Sequence, residues 1–237
     1  MATPAGPSEF RRLTTPRSAA IAGVLFAVLF AGSLVLLRVA IPGESARGTD
    51  WLEEGTPALS AAVTIMPFAG ISFLWFIGVI RDRLGDAEDR FFASVFFGSG
   101  LLFLAMIFIS MAVAGGILAS ARTSPDPAST EEIAYFGRAV MLQISNGYAL
   151  RMAGVFMISL GTIWLRTGSM PKWLAIITYV AATTLLVIST LSLWATLVFP
   201  AWVLLVSLHI LLRTFGRRAP HPPVDRAEDA GGPPPVS

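Results

Sequence analysis

One charge stands inside an otherwise uncharged run: Arg151, within residues 139 to 165. An arginine carries five N–H donors and keeps its charge at any physiological pH, so its natural partners are anions and carbonyl oxygens. Oxygen-bearing side chains stand close by at Gln143, Asn146 and Tyr148, and backbone carbonyls would be freed at Pro67 if that proline breaks its own helix. Arg151, Gln143, Asn146 and Tyr148 therefore form a candidate site for an anionic or carbonyl-bearing ligand. A structural role is the other reading, in which Arg151 satisfies itself on amides and carbonyls and fixes helix packing.

Other chemistry finds little to work with. His209 is the only histidine in an apolar stretch, so a haem held by two histidines or a multi-histidine metal site lacks ligands. Cysteine is absent, which removes disulfides and thiolate chemistry. Rhomboid-type serine proteases pair Ser with His in six spans, but here G-x-S-G is missing and no Gly or Ala flanks His209. Arg213, four residues on, places that histidine near a membrane face. H-E-x-x-H, Walker A and nucleophile-elbow patterns are missing too. No catalytic residue, metal or cofactor is expected, and no basic, aromatic-interleaved patch points to nucleic acid.

The elements that position these residues follow from composition. Of 237 residues, 54% are hydrophobic and 14% charged, too few polar groups to cover a soluble core. A helix crossing about 30 Å of hydrocarbon needs roughly 20 residues. The uncharged runs give an all-α bundle of six spans, at about 18–41, 57–80, 91–120, 139–165, 172–191 and 195–213. The last two come from one apolar stretch, 173–212, which is too long for a single crossing and folds back between Ser189 and Phe199. Pro200 then either kinks the last helix or begins it.

Cations fix the direction. With the N-terminus inside, Arg11, Arg12, Arg17, Arg81, Arg83, Arg90, Arg166, Lys172, Arg213, Arg217, Arg218 and Arg226 are cytoplasmic, against Arg38, Arg47, Arg122 and Arg138 outside. That asymmetry follows the positive-inside rule and puts both termini in the cytoplasm. The charged stretch from Arg81 to Arg90 reads as a tight cytoplasmic turn. Arg81 and Arg83 oppose the dipole of span two, Gly85 takes a left-handed C′ position, and Asp86 caps span three ahead of Glu88 and Asp89. Residues 1–17 and 214–237, rich in Pro, Gly and charge, read as disordered cytoplasmic ends. In the outer loop 121–138, Ser129 and Glu132 fit a capping box, and Tyr135 and Phe136 suit the membrane interface.

With Arg138 and Arg166 as interface markers, 28 residues or about 42 Å apart, Arg151 falls near the midplane. Insertion there costs about 2.5 to 3.5 kcal/mol. Gly147, Gly154 and Gly161 recur every seven residues and predict a face where another helix comes close. Pro67 and Pro200 join them as packing or kink positions.

The stretches FLWFIGVIRDRLGDAEDRFF with VFFGSGLLFLAMIF, RMAGVFMISLGTIWLRTGSMPKWLA, and LVFPAWVLLVS, between Pro67 and Ser207, resemble an uncharacterised family of small multi-span membrane proteins from actinobacteria. The resemblance implies a plasma-membrane protein of high-GC Gram-positive origin and brings no activity, substrate or catalytic residue. Three classes remain: a non-enzymatic component binding lipid, other membrane proteins or a second copy of itself; a transporter or channel for a small anionic or amphipathic solute using Arg151; and a membrane enzyme. The first leads, since no acid–base pair or metal cluster lies in a span.

Overall fold

The computed structural model describes residues 16–41, 50–84, 90–123, 126–168, 170–188 and 196–216, and these are all-α. The helices are α1 Pro16–Ala40, α2 Asp50–Leu84, α3 Arg90–Thr123, α4 Pro127–Leu142, α5 Leu150–Thr167, α6 Lys172–Ile188 and α7 Val198–Gly216. A π-helical segment, Gln143–Ala149, joins α4 to α5. Four continuous helices are long and apolar enough to cross a membrane: Ser18–Ala40, Gly55–Asp82, Phe91–Thr123 and Ala128–Thr167. Lys172–Val187 and Val198–Arg213 are shorter apolar helices. Hydrocarbon offers no water to backbone N–H and C=O groups, which is why so apolar a chain satisfies them within helices.

The helices close into a ring. α1 packs on α2 and α7, α3 on α2 and on the whole α4–α5 helix, and α6 on α5 and α7. Because lipid is as apolar as leucine, association here depends on close fit more than on burial. Gly55 shows how close: a Cβ built there would lie 2.5 Å from the carbonyl oxygen of Ala40, so α1 and α2 meet backbone to backbone. Gly100 lets α3 settle against Ile77 of α2 and Phe156 of α5. Gly98 of the same FGSG motif faces open space.

At the centre stand phenylalanines from five helices. Phe73 of α2, fully buried, has ring neighbours at Phe26 (4.7 Å between centroids), Phe103 (5.4 Å), Phe156 (5.4 Å) and Phe199 (5.7 Å). Phe103 and Phe199 meet at 4.7 Å, and Phe96 stacks on Phe156 at 4.7 Å. Such tilted and edge-on pairs each add about 0.5–1.5 kcal/mol beyond their area. Toward the end of the bundle carrying Ala40, a smaller cluster of Ala40, Leu59, Ala114, Leu118 and Met141 involves only α1 to α4.

Hydrogen bonds cross between helices from Ser110 to the Met141 carbonyl at 3.0 Å, from Trp202 Nε1 to Thr178 Oγ1 at 2.9 Å, and between the Thr162 and Tyr179 hydroxyls at 2.7 Å. The Thr178 hydroxyl in turn donates to Leu174 O, which leaves its lone pair aimed at the indole.

Several expectations change. Pro67 does not break its helix: α2 continues through both Pro57 and Pro67. The Pro67 ring is exposed, clear of the helix contacts, and membrane helices tolerate one lost backbone bond. Pro200 is the third residue of α7, in the first turn, where its missing N–H has no intrahelical partner to lose. The cap of α4 is Asp126 rather than Ser129. Its carboxylate accepts from the N–H of Ala128 and Ser129, and the Ser129 hydroxyl donates to it at 2.6 Å. Pro127 at the first helical position shifts the start three residues upstream of the expected box. α4 then runs on through the π segment into α5 as one continuous helix, Ala128–Thr167. Gly168, at φ +62, supplies the left-handed cap that ends α5. The expected turn at Gly85 to Asp89, the reversal within 189–195 and the ends 1–15 and 217–237 lie outside the described residues.

Candidate functional site

The site begins with an irregularity in the backbone. A π-helical turn carries one residue more than an α-turn and recurs at functional positions. Here it falls on the polar run Gln143–Ala149, QISNGYA, in the middle of an apolar helix. Gly147 is the point on which two long side chains converge. From one turn inward, Arg151 donates through its guanidinium to the Gly147 carbonyl. From one turn outward, the Gln143 amide lies over the Gly147 Cα: Nε2 stands 3.0 Å from where a Cβ would be, and the three atoms nearest that point all belong to Gln143. Arg151 is half-buried, Asn146 half-buried, and Gln143 and Tyr148 are exposed, Tyr148 by 56%.

Arg151 takes its described hydrogen bond from its own helix. None of the side-chain oxygens of Gln143, Asn146 or Tyr148 is bonded to it among the described residues, and neither is a carbonyl of α2. The carbonyl one turn back is within reach of a guanidinium folded along the helix, and the side chain accordingly points toward the α4 end.

The three glycines divide. A Cβ at Gly154 would meet Leu186 at 3.0 Å and the Ala182 carbonyl at 3.2 Å, and one at Gly161 would meet Thr178 at 3.1 Å. Both face α6. Gly147 lies beyond the described residues of α6, and a Cβ there would meet Gln143. The same contacts set the register of α5 on α6. Moving down α5 from Gly161 to Gly154 corresponds to moving up α6 from Thr178 to Leu186. Three residues further, Arg151 falls level with Ile188, the last described residue of α6.

His209 sits edge-on to Trp173 at 5.7 Å, and its Nε2 is buried without a hydrogen-bond partner among the described residues. Among the described residues, no three His, Cys, Asp or Glu side chains gather into a metal-holding group. At the end of the bundle shared by α2, α3, α5, α6 and α7, Arg81 covers the Phe97 ring at 4.7 Å and Arg166 the Phe92 ring at 4.6 Å. Lys172 and Arg213 are exposed at that same end.

The π turn and the phenylalanine centre escaped the sequence reading. The polar run QISNGY was the available signal for the first. For the second, Phe26 with Phe30 and Phe96 with Phe103 share helix faces, but in a chain apolar all round nothing marks which face is inward.

What fold and site define together is a class, an all-α protein whose long apolar helices suit a membrane. Comparison with protein-family models, curated proteins and solved structures returns no match.

Proposed function

We propose that the chain is a non-enzymatic, six-span component of a cell membrane, both termini cytoplasmic, that binds lipid or another membrane protein and passes no solute through its centre. The observation that carries this reading is the packing of Phe73 against Phe26, Phe103, Phe156 and Phe199. A path for a charged or polar solute needs polar lining or water, and rings from α1, α2, α3, α5 and α7 occupy that volume.

The orientation rests on charge. Arg81, Arg166, Lys172 and Arg213 gather at one end, while Asp126, Glu131 and Glu132 lie at the other with Arg38, Arg122 and Arg138. Positive charge favours the cytoplasmic side. A plasma membrane of the high-GC Gram-positive kind fits the sequence resemblance. In this placement α6, described over Lys172–Ile188, starts at the inner face. Arg151, ten residues or about 15 Å inward of Met141, which packs with Ala40 and Leu118 toward the outer end, then lies inside the hydrocarbon.

A transporter of a small anionic or amphipathic solute is the second reading, favoured by the π turn beside Arg151. Single cysteines in this cysteine-free chain separate the two and test the topology. With an impermeant thiol reagent added outside intact cells, Ser124→Cys reacts and Ser169→Cys does not. In purified protein, Ala153→Cys, in the core beside Phe156, stays unreactive toward a small hydrophilic thiosulfonate. Labelling at Ala153 that a solute blocks would support the transporter, and labelling of Ser169 from outside would reverse the orientation.

A further inference from the structure

We infer that the outward groove between α5 and α6 docks a transmembrane helix of another protein, and that a carboxylate carried by that helix inside the hydrocarbon pairs with Arg151. The inference deepens the reading of a partner-binding membrane component and rests on it.

The first ground is a cation without an anion. The Arg151 guanidinium is half-buried, and among the described residues its hydrogen bond goes to the neutral Gly147 carbonyl of its own helix. None of its nitrogens is among the described atoms that are both buried and without a partner, so the donors left over open at the surface of the bundle. All carboxylates of the chain stand in its ends and loops or near helix termini, and α1, α3, α5, α6 and α7 contain none. Along its own helix the nearest is Glu132, nineteen residues or about 28 Å away. A cation in such surroundings is stabilised by a counter-anion, and neither this chain nor a second copy of it supplies one at that level.

Depth is the second ground. Arg151 lies about 15 Å inward of Met141 and about 22 Å from Arg166 at the inner end. Both distances exceed the length of an arginine side chain, so the phosphates of both leaflets stand out of reach. An anion at that level has to be carried by a chain that itself crosses the membrane. Asp and Glu in spanning helices are such anions, held there by pairing, and their two oxygens match the guanidinium fork.

The third ground is the groove itself. The hydroxyls of Thr162 and Tyr179 meet at 2.7 Å where α5 borders α6. Arg151 comes eleven residues before Thr162, close to three whole turns, so the two share one face of α5. Thr183, one turn beyond Tyr179 on the same face of α6, is exposed. Tyr148, one turn from Arg151 toward the α4 end, is exposed as well. These side chains make a polar seam inside the hydrocarbon, where hydroxyls and a guanidinium gain from the polar groups of another helix and nothing from acyl chains. Beside the seam, Gly154 against Leu186 and Gly161 against Thr178 hold α5 and α6 together as one surface.

Full-length protein in dioleoyl phosphatidylcholine vesicles, carrying a donor fluorophore on Ser169→Cys in this cysteine-free chain, provides the test. The probe is a synthetic helix of leucine and alanine, about 22 residues between lysine ends, with an acceptor dye and a central Asp, Asn or Leu. Energy transfer is expected to show the Asp helix binding about tenfold or more tighter than the Leu helix, with Asn between them. Arg151→Met brings the Asp helix down to the Leu value, Arg151→Glu turns the preference toward a central Lys, and Arg166→Met changes nothing. If the Arg151 variants do not fold, the wild-type protein still tests the depth: an Asp moved two turns toward the outer end binds no better than Leu. Equal binding of the Asp and Leu helices, a preference that Arg151→Met retains, or one indifferent to the depth of the Asp would each overturn the inference. So would a lipid-soluble quinone that displaces the Asp helix, or a dimer of this chain that Arg151→Met dissociates, since either would be the occupant instead. A protein that carried solute while selecting the Asp helix through Arg151 would overturn the non-conducting reading and leave the docking groove standing.

Discussion

The Trp202 indole donates to the Thr178 hydroxyl at 2.9 Å, a buried bond from α7 to α6. Trp202 is only 3% exposed, so its N–H has no water to turn to. Replacing Thr178 by Val keeps the shape that fills the space beside Gly161 and removes the acceptor. The expected cost is about 1 kcal/mol, typical of a hydrogen bond between membrane helices. In denaturant unfolding, Thr178→Val and Trp202→Phe should be less costly together than the sum of the two. Additive costs would show that the bond contributes nothing.

Two glycines set up a contrast. A methyl at Gly55 meets backbone, the Ala40 carbonyl oxygen at 2.5 Å, which cannot move without shifting α1. Gly55→Ala should therefore destabilise by about 1–3 kcal/mol. Gly98 has open space where its Cβ would be. Gly98→Ala should be neutral or stabilising by up to about 1 kcal/mol, the helix-propensity difference. Equal effects of the two substitutions would contradict the α1–α2 contact.

Asp126 should give α4 an acid-sensitive start. The Ser129 hydroxyl, then the N–H groups of Ala128 and Ser129, hold its carboxyl below the usual carboxylate range. A group with a depressed folded pKa contributes stability above its unfolded pKa and loses that contribution as pH falls through the folded one. Intrinsic-rate-corrected hydrogen exchange at Ser129 and Thr130 should therefore quicken as the medium is acidified below the ordinary aspartate range. Asp126→Ala should show fast exchange with no such step.

How far the sequence could be read depends on what each feature requires. Helices and their approximate limits follow from hydrocarbon thickness and the cost of burying charge, so uncharged runs located them. Gly154 and Gly161 lie on α6 because close approach needs small residues at helical spacing, a local pattern. The π turn at Gln143–Ala149 was not legible, because no spacing rule anticipates an inserted residue. Ser129 suggested a cap that Asp126 provides, because Pro127 started the helix earlier. Arg151 was visible as the one charge in a span. Its level beside Ile188 required the α5–α6 register, which only the folded chain supplies.

Solute flux tests the central claim most directly. Full-length protein reconstituted into liposomes, with phosphatidylglycerol present, should pass small organic and inorganic anions no faster than protein-free liposomes, whatever the pH gradient or membrane potential. Arg151→Met should leave that baseline unchanged. A saturable flux in the wild-type protein that Arg151→Met abolishes would contradict the account and make Arg151 the binding residue of a transporter.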